Sequence, residues 1–320
     1  MKNYLKKVLS VQSESYNQFR TFAFVIRELK RLSIDFYVSD GCIYATKGDS
    51  ENFPCIVSHL DTVHDIEKGF EVLESKGNFF AINSNMEQVG VGGDDKVGIF
   101  ICLSLLAVKE NLKAVFFRDE EVGCVGSYSA DMEFFKDCGY VLQCDRKGYG
   151  DFVTDISGCV LSSKDFKKDV KTTCKNYGFK FVNGGMTDVL ALHENNIGVS
   201  VANISCGYYN PHTFNEYVNI NDVLNTLSFV NDLIDTLGET KYKHKGSNGS
   251  FYKRYSYKKF DSFIDTAINS TFKSWAGYKD TTVKNITCDC CMFESKHKAD
   301  FVPVQGMTIC LDCYEELNNQ

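Results

Sequence analysis

Apolar residues in the first part of the chain change from a helical to an alternating spacing. From about Tyr4 to Leu32 they recur at intervals typical of one or two helices. The segments DFYVSD and CIYATKG then predict a hairpin that turns at Asp40-Gly41. Next, PCIVSHLDTV is a short apolar run that ends in polar residues, as a buried strand does when it delivers side chains to a sheet edge.

Strands and helices alternate through the rest of the first 238 residues. Predicted strands are KAVFFRDEEVG, YVLQCD, DFVTDISG and IGVSVANISCG, and predicted helices are KVGIFICLSLLAVKEN, SSKDFKKDVKTTCKNYG and INDVLNTLSFVNDLIDTL. This alternation predicts an α/β fold in which a mostly parallel sheet carries helices on both faces. We place the first domain at residues 1–238.

The C-terminal part of the chain has a different pattern. Residues 239–250 are polar, contain glycines and lack apolar periodicity, which predicts a linker. Residues 251–320 are predicted to form one helix, in the segment FDSFIDTAINSTFKSW, followed by a cluster of five cysteines. The chain is therefore predicted to contain one large domain, a linker and a small second module.

Composition and charge narrow the functional classes. The chain is 43% hydrophobic and 24% charged, which is typical of a globular protein. Its net charge of −7 argues against a nucleic-acid surface, so nucleic acid is not an expected partner. No uncharged stretch approaches the roughly 20 residues that a membrane span requires. Nine of the fourteen cysteines are scattered through the first 240 residues, which favours free thiols and a cytoplasmic protein.

Potential metal ligands recur in the segments SHLDTV, GGDDKVG, DEEVG, QCD and NPHTFNE. Each segment ends a predicted strand or lies in a glycine-bearing turn, and ligands of such sheets gather beyond the carboxyl ends of the strands. Zinc binds imidazole and carboxylate groups, and two ions about 3.5–4 Å apart need one carboxylate between them. Taken singly, each segment could be a structural histidine, a turn or an acidic loop. Together, the five predict a pair of metal ions.

The five motifs in this order resemble the co-catalytic dizinc exopeptidases, the group that contains peptidase T, carboxypeptidase G-like enzymes and single-domain zinc aminopeptidases. The resemblance spans roughly residues 5–237 and implies five metal ligands. For the first ion it implies His59 and Asp145, for the second Glu121 and His212, and between the two ions the bridging Asp94. It further implies that Asp61 orients His59, that Glu120 is the general base, and that the Asp94-Asp95 peptide bond is cis.

The sequence departs from the lidded members of that group. Only 38 residues separate Asp145 from the GGMTD motif, which is too few for their inserted lid domain, so the architecture is expected to be closer to the single-domain aminopeptidases. Another group must then stabilise the oxyanion, and Tyr208 and Tyr209 are the candidates. Candidate substrate contacts are Thr187, Asp188 and Arg146, and for Arg146 a structural salt bridge is the alternative.

The C-terminal cysteines predict a separate zinc site. Two C-x-x-C pairs are separated by eighteen residues, a spacing typical of a structural zinc site, and they consist of Cys288, Cys291, Cys310 and Cys313. Four thiolates close the tetrahedron, so this ion is expected to be structural. The module resembles a zinc ribbon or treble clef, and its role is either to bind a protein partner or to stabilise its own segment.

These observations predict a zinc exopeptidase that acts on short peptides, either an aminopeptidase or a tripeptidase, with two catalytic zinc ions and one structural zinc. An N-acyl amino acid deacylase, or another amide hydrolase, is an alternative because the same metals and Glu120 serve that reaction. A second alternative is a catalytically inactive binding protein that uses the C-terminal zinc module. The expected substrate is a short peptide or an acylated amino acid, and no membrane partner is expected.

Overall fold

The computed structural model describes residues 1–245 and four short strands nearer the C-terminus. The chain divides into two units, Met1–Ser247 and Asn248–Gln320. In the second unit, β15 (Ile286–Thr287) pairs with β16 (Glu294–Ser295), and β17 (Phe301–Val304) pairs with β18 (Met307–Cys310), both antiparallel. The predicted helix of this unit and Cys288, Cys291 and Cys313 lie outside the described residues, and of Cys310 the structure describes the backbone strand. The predicted four-thiolate site therefore stays a prediction.

The first unit contains 21 helices and strands among its described residues. Up to residue 128 they are α1 (Lys2–Leu9), α2 (Phe19–Arg31), β1 (Asp35–Ser39), β2 (Cys42–Lys47), β3 (Phe53–His59), β4 (Glu71–Ser75), β5 (Asn78–Ile82), β6 (Gln88–Val89), α3 (Gly93–Val108), β7 (Leu112–Phe117) and α4 (Val125–Tyr128). Beyond it they are β8 (Cys138–Gln143), β9 (Asp151–Ile156), β10 (Cys159–Val160), α5 (Lys164–Asn176), β11 (Lys180–Gly184), α6 (Asp188–Glu194), β12 (Ser200–Ile204), β13 (Tyr208–Tyr209), β14 (Tyr217–Asn219) and α7 (Ile220–Leu237).

A nine-stranded sheet forms the centre of this unit, in the order β1-β2-β7-β3-β8-β12-β9-β10 with β11 paired to β9. Its middle strands, β7-β3-β8-β12, are all parallel to one another. Antiparallel pairs adjoin this core, among them the predicted hairpin of β1 and β2. The prediction of a mainly parallel central sheet is thus confirmed, with antiparallel strands toward both edges.

Successive side chains of β3 pack against different helices, because neighbouring residues of a strand point to opposite faces of the sheet. Cys55 and Val57 belong to a buried cluster that includes Val189 of α6. Ser58, the next residue, points to the opposite face, where its hydroxyl donates to Asp95 at the start of α3. Fourteen of the sixteen residues of α3 are buried, which explains why its sequence is apolar on every side.

A second sheet was not anticipated from the sequence. Its five strands run in the order β13-β14-β5-β4, and β6 pairs with β5. The strands are two to five residues long, and so few residues cannot show a recognisable alternation of apolar and polar positions. This sheet joins residues on both sides of the NPHTFNE motif to the segment that precedes α3.

The first unit continues beyond its predicted end at residue 238. The predicted linker begins at residue 239, but Tyr242 is only 6% exposed, its amide donates to the Gly139 carbonyl at 2.9 Å, and its carbonyl accepts from the Ser200 amide at 2.8 Å. The amide of His244 likewise donates to the Gly198 carbonyl. The sequence did not indicate this packing, because one buried aromatic residue within a polar segment forms no periodic pattern.

Two further sequence expectations concern thiols and membranes. The nine cysteines of the described first unit are free, and eight of them are buried, as expected for scattered thiols. Among the helices that the structure describes, none combines the length and the apolarity needed to cross a bilayer.

His193 of α6 is a buried histidine whose protonation opposes folding. It is 2% exposed, stacks on His244 at 5.3 Å, and its Nε2 lacks a hydrogen-bond partner within the described part of the chain. Burial, and then the neighbouring His244, lower the pKa of His193 to about 4.

We expect stability to fall as the pH drops from about 6.5 to about 4, because the unfolded chain binds a proton at residue 193 that the folded chain excludes. The slope from this one group reaches about 1.4 kcal/mol per pH unit. His193→Phe should flatten that part of the urea-unfolding profile, whereas His244→Gln should retain most of the slope because burial is the larger cause. An unchanged slope in His193→Phe would contradict this account.

Candidate metal centre

The predicted ligands of the metal pair converge at the carboxyl edge of the parallel strands. β3 lies between β7 and β8 and runs parallel to both, so the residues that follow the three strands meet. His59 ends β3, Glu121 follows β7, and Asp145 follows β8. Asp94 reaches the same place from the start of α3, and His212 from the loop between β13 and β14.

The Asp94 carboxylate lies between two imidazoles. Its Oδ1 is 3.2 Å from His59 Nε2, and its Oδ2 is 3.4 Å from His212 Nε2. Each imidazole also faces a carboxylate of its own: His59 Nε2 is 3.8 Å from Asp145 Oδ1, and His212 Nε2 is 3.1 Å from Glu121 Oε2. This arrangement matches two adjacent sites that share one carboxylate.

A pair of divalent ions fits these residues. Glu121 Oε1 is buried and has no hydrogen-bond partner among the described residues, although a buried carboxylate oxygen requires a donor or a cation. Ligand atoms of His59, Asp94 and Glu121 all lie within 4.8 Å of one another. The donor set of imidazole and carboxylate is the one that zinc and similar divalent metals prefer.

The same crowding shifts the proton affinities of the ligands. Burial alone would lower the pKa of His59, but hydrogen bonds with Asp145 and Asp61 raise it well above its usual range. Hydrogen bonds with Asp94 and Glu121 raise the pKa of His212 to about 10. Burial, and then the charge of Asp94, raise the pKa of Asp145 to about 8. These side chains thus bind protons readily in the absence of metal, and bound divalent cations would displace those protons.

The two histidines differ in their access to solvent. The side chain of His59 is fully buried, whereas that of His212 is 52% exposed. His212 also has a left-handed backbone, with φ of 62°, inside a loop that contains Asn210 in the same conformation.

Asp61 supports both sides of the site. Its backbone carbonyl is 2.9 Å from His59 Nδ1, and its carboxylate Oδ1 is 3.3 Å from the same nitrogen. Its carboxylate also accepts from the amides of Glu120 and Glu121 at 3.0 and 3.3 Å, and from the Ser15 hydroxyl at 2.7 Å. Asp61 therefore fixes the orientation of one ligand and the backbone of another.

Asp145 is held by a set of polar side chains. Its Oδ2 accepts from Gln143 Nε2 and Thr187 Oγ1, each at 3.1 Å, and its Oδ1 accepts from the Tyr208 hydroxyl at 3.1 Å. Its backbone amide donates to Asn203 Oδ1 at 3.0 Å. Thr187, a candidate substrate contact, and Tyr208, a candidate oxyanion donor, thus touch a predicted metal ligand directly.

Glu216 and His64 support the Asp94 segment and were not identified from the sequence. Glu216 is fully buried and accepts from the amides of Gly92 at 2.7 Å and Asp94 at 3.2 Å. Its Oε2 is also 2.8 Å from His64 Nε2. The signal for Glu216 was its position at the end of the NPHTFNE motif, four residues after His212. His64 meets the Asp94 segment through Glu216.

The peptide bond between Asp94 and Asp95 is cis, as the resemblance implied. A carboxylate oxygen of Asp95 lies within 4.8 Å of ligand atoms of His59 and Asp145, but the protein engages this carboxylate with its own donors. The carboxylate accepts from the Ser58 hydroxyl at 2.6 Å and from the amides of His59 and Gly98 at 3.2 and 3.0 Å. It therefore joins the start of α3 to the end of β3.

A cavity of about 260 Å³ opens beside the metal ligands. Its lining includes Glu120, Arg146, Lys147, Met186 and Tyr208. The Nε of Arg146 donates to Asp151 Oδ2 at 2.9 Å, so the structural salt bridge exists although the side chain also lines the cavity.

Two further candidates for substrate contact lie elsewhere. The Tyr209 hydroxyl donates to Asp222 of α7, and its ring stacks on Tyr217 at 5.0 Å. Asp188 is fully buried, and its Oδ2 accepts from Gln143 Nε2 at 3.1 Å. Neither residue belongs to the cavity lining.

We expect Glu216→Ala to weaken both the fold and metal binding, because it leaves two buried amides without an acceptor next to Asp94. The free energy of unfolding should fall by about 2–4 kcal/mol, and metal affinity by about 10–100-fold. Urea unfolding and chelator competition measure the two quantities. The matched Glu51→Ala, at an exposed position, should change stability by less than about 0.5 kcal/mol. Metal affinity equal to that of the wild type would refute the supporting role.

Comparison with known proteins gives a family match and a shared fold. Residues 71–229 match the model of the M42 glutamyl aminopeptidase family, a range that contains Asp94, Glu121, Asp145 and His212. No curated protein sequence matches the chain.

Solved structures of aminopeptidases have the same fold at low sequence identity. The aminopeptidase PepT of Bacillus cereus is 14% identical with a TM-score of 0.63, covering 74% of this chain and 97% of its own. A tripeptidase of Staphylococcus aureus is 14% identical with a TM-score of 0.59, covering 73% and 96%. An aminopeptidase of the archaeon Desulfurococcus kamchatkensis is 15% identical with a TM-score of 0.59, covering 79% and 99%. This chain therefore carries a region that matches the M42 peptidase family on an aminopeptidase fold, which supports a metal-dependent hydrolase of the exopeptidase class.

Proposed function

We propose that this protein is a two-metal exopeptidase that hydrolyses short peptides, as an aminopeptidase or a tripeptidase. The observation that carries the proposal is the position of Asp94, whose two oxygens face His59 and His212 at 3.2 and 3.4 Å. One carboxylate shared by two imidazoles is the arrangement that a metal pair requires. The family match and the neighbours support a peptide as the substrate.

Zinc is the proposed metal at both catalytic positions. His59, Asp145 and Asp94 would hold the first ion, and Asp94, Glu121 and His212 the second. When bound, such a pair lowers the pKa of a water molecule and polarises the scissile carbonyl. The protein supplies a rigid edge of parallel strands and a set of hydrogen bonds that fix each ligand.

Glu120 is the proposed general base. Its side chain is buried at the wall of the cavity, its amide is held by Asp61, and Cys124 Sγ donates to its Oε1 at 3.4 Å. Burial raises the pKa of Glu120 well above its usual range, which makes the carboxylate a better acceptor for a proton. Glu120 would take a proton from the attacking water and return it to the departing amine.

The cavity favours a short substrate that carries a carboxylate. Its volume of about 260 Å³ lies below the 300–1,000 Å³ typical of pockets for larger ligands. Lys147 is exposed at its wall beside Arg146, and no ion pair of Lys147 is found within the described part of the chain. The carboxylate would be the side chain of an acidic N-terminal residue, in keeping with the name of the matched family, or the C-terminus of a tripeptide.

Tyr208 is the better of the two proposed oxyanion donors. It lines the cavity, and its hydroxyl, which donates to Asp145 Oδ1 at 3.1 Å, would turn from this proposed metal ligand to the oxyanion. Tyr209 does not belong to the cavity lining, and its hydroxyl donates to Asp222. We propose Thr187 and Asp188 as residues that act through their contacts with Gln143 and not through substrate.

The C-terminal module completes the proposal. Cys288, Cys291, Cys310 and Cys313 are proposed to hold one structural zinc, by their spacing, and the module to stabilise its segment or to bind a protein partner. A cytoplasmic location remains part of this proposal, on the distribution of the cysteines.

We expect Glu120→Gln to slow hydrolysis strongly while leaving the two catalytic ions and the structural zinc bound, because the residue is proposed to move protons and is not a proposed ligand of these three ions. Turnover should fall about 10²–10⁴-fold. Both proteins should contain about three zinc equivalents, one of which resists mild chelation. Peptide hydrolysis and metal analysis of the purified proteins measure these effects, with the exposed Glu133→Gln as the matched control. Unchanged turnover in Glu120→Gln would exclude the base role, and an inactive wild type would favour a binding protein.

A substrate panel distinguishes the remaining alternatives. We expect free tripeptides and dipeptides to be cleaved and N-acetylated ones to be resistant, whereas preferred cleavage of the acetylated forms would indicate a deacylase. C-amidation of the substrate should raise KM if Arg146 and Lys147 bind the C-terminal carboxylate. Replacement of an N-terminal Glu should raise KM if these two residues bind the side chain of Glu. Arg146→Ala and Lys147→Ala should raise KM for the same substrates about tenfold or more. An unchanged KM in both variants would refute the carboxylate contact.

A further inference from the structure

We propose that Glu120, Cys124 and Asp188 form a third divalent-cation site, at which excess zinc or cadmium binds. Occupation of this site would inhibit the enzyme by engaging the general base, a consequence that rests on the proposed function. The binding itself does not depend on that function.

The three side chains come together from two separate turns. One donor atom from each lies within 4.8 Å of the others, and Cys124 Sγ is 3.4 Å from Glu120 Oε1. The Glu120 carbonyl accepts from the amides of Gly123 and Cys124, at 2.9 and 2.8 Å, which closes a tight turn between the two residues. Cys124 has a left-handed φ of 55° in this turn. Asp188 reaches the cluster from the first residue of α6.

An unpartnered oxygen indicates that the cluster takes a ligand. Asp188 is 0% exposed, and while its Oδ2 accepts from Gln143, its Oδ1 has no hydrogen-bond partner among the described residues. A buried carboxylate oxygen without a donor is costly, and a cation satisfies it. This oxygen is separate from the orphaned oxygen of Glu121, which belongs to the proposed catalytic pair.

The charges of the site leave room for one more cation. The two proposed catalytic ions carry four positive charges, against three negative charges of Asp94, Glu121 and Asp145. When Glu120, Asp188 and a Cys124 thiolate are added, the six negative charges exceed those of the two ions by the charge of one more divalent cation. Repulsion from the two ions nearby would weaken binding of a third. The third site should therefore fill only when free metal is in excess.

The donor set defines which metals bind. A thiolate with two carboxylates suits zinc and cadmium, whereas magnesium prefers oxygen ligands alone. On binding, Cys124 loses its thiol proton to solvent, and its hydrogen bond to Glu120 is replaced by two bonds to the metal. Cys124 and Asp188 are fully buried, so the ion would enter through the cavity that Glu120 lines.

The test is equilibrium dialysis of the metal-loaded protein against excess cadmium. The wild type should bind one equivalent more than Cys124→Ala and one more than Asp188→Asn. The difference spectrum between wild type and Cys124→Ala should show the ultraviolet cadmium–thiolate band. The matched control is Cys174→Ala, which removes a buried thiol of α5 and should bind as the wild type does. If Cys124→Ala does not fold, Cys124→Ser keeps a hydrogen-bond donor to Glu120, removes the thiolate, and should also bind one cadmium equivalent fewer than the wild type.

Inhibition is measured separately, with each variant normalised to its own rate in the absence of excess metal. The zinc concentration for half inhibition should rise at least about tenfold in Cys124→Ala, and magnesium should not inhibit the wild type. Equal cadmium equivalents in wild type, Cys124→Ala and Asp188→Asn would overturn the proposal. If no peptide is cleaved, dialysis still decides whether the site exists, so failure of the proposed function is distinguishable from failure of this inference.

Discussion

The structure depends on placing several carboxylates within a few ångströms of one another in a buried position. Asp94, Glu121 and Asp145 would repel one another strongly in a medium of low dielectric unless positive charge lay between them. In the protein alone, two imidazoles and bound protons supply part of that charge. A pair of divalent ions would supply all of the positive charge that the carboxylates require. The arrangement therefore favours a metal centre over a structural network of hydrogen bonds.

The fold makes this crowding tolerable by fixing the backbone around each ligand. Glu216 holds the amide of Asp94, Asp61 holds that of Glu121, and Asn203 holds that of Asp145. Three parallel strands determine the spacing between these segments, and the small second sheet brings the His212 loop to meet them. Positions of the ligands are thus set by main-chain hydrogen bonds, and side-chain freedom contributes little.

The sequence predicted the central sheet and the convergence of His59, Asp94 and Asp145, because apolar runs ending in metal-binding residues are local patterns. It could not predict that Glu216 pairs with His64, since the two are 152 residues apart and only the folded chain selects the partner. Gln143 precedes Asp145 by two residues, but it was overlooked because its partners Thr187 and Asp188 are 44 and 45 residues away in the sequence. The second sheet and the packing of Tyr242 were missed because very short strands, and a single buried aromatic residue in a polar segment, form no apolar pattern.

The unequal exposure of the two histidines has a consequence for metal exchange. The side chain of His59 is fully buried, whereas His212 stands in a surface loop with half of its side chain in water. An ion held by His212 would lose this ligand through a movement of that loop alone, whereas His59 is fixed at the end of a buried strand. The proposed ion at His212 should therefore exchange faster than the proposed ion at His59.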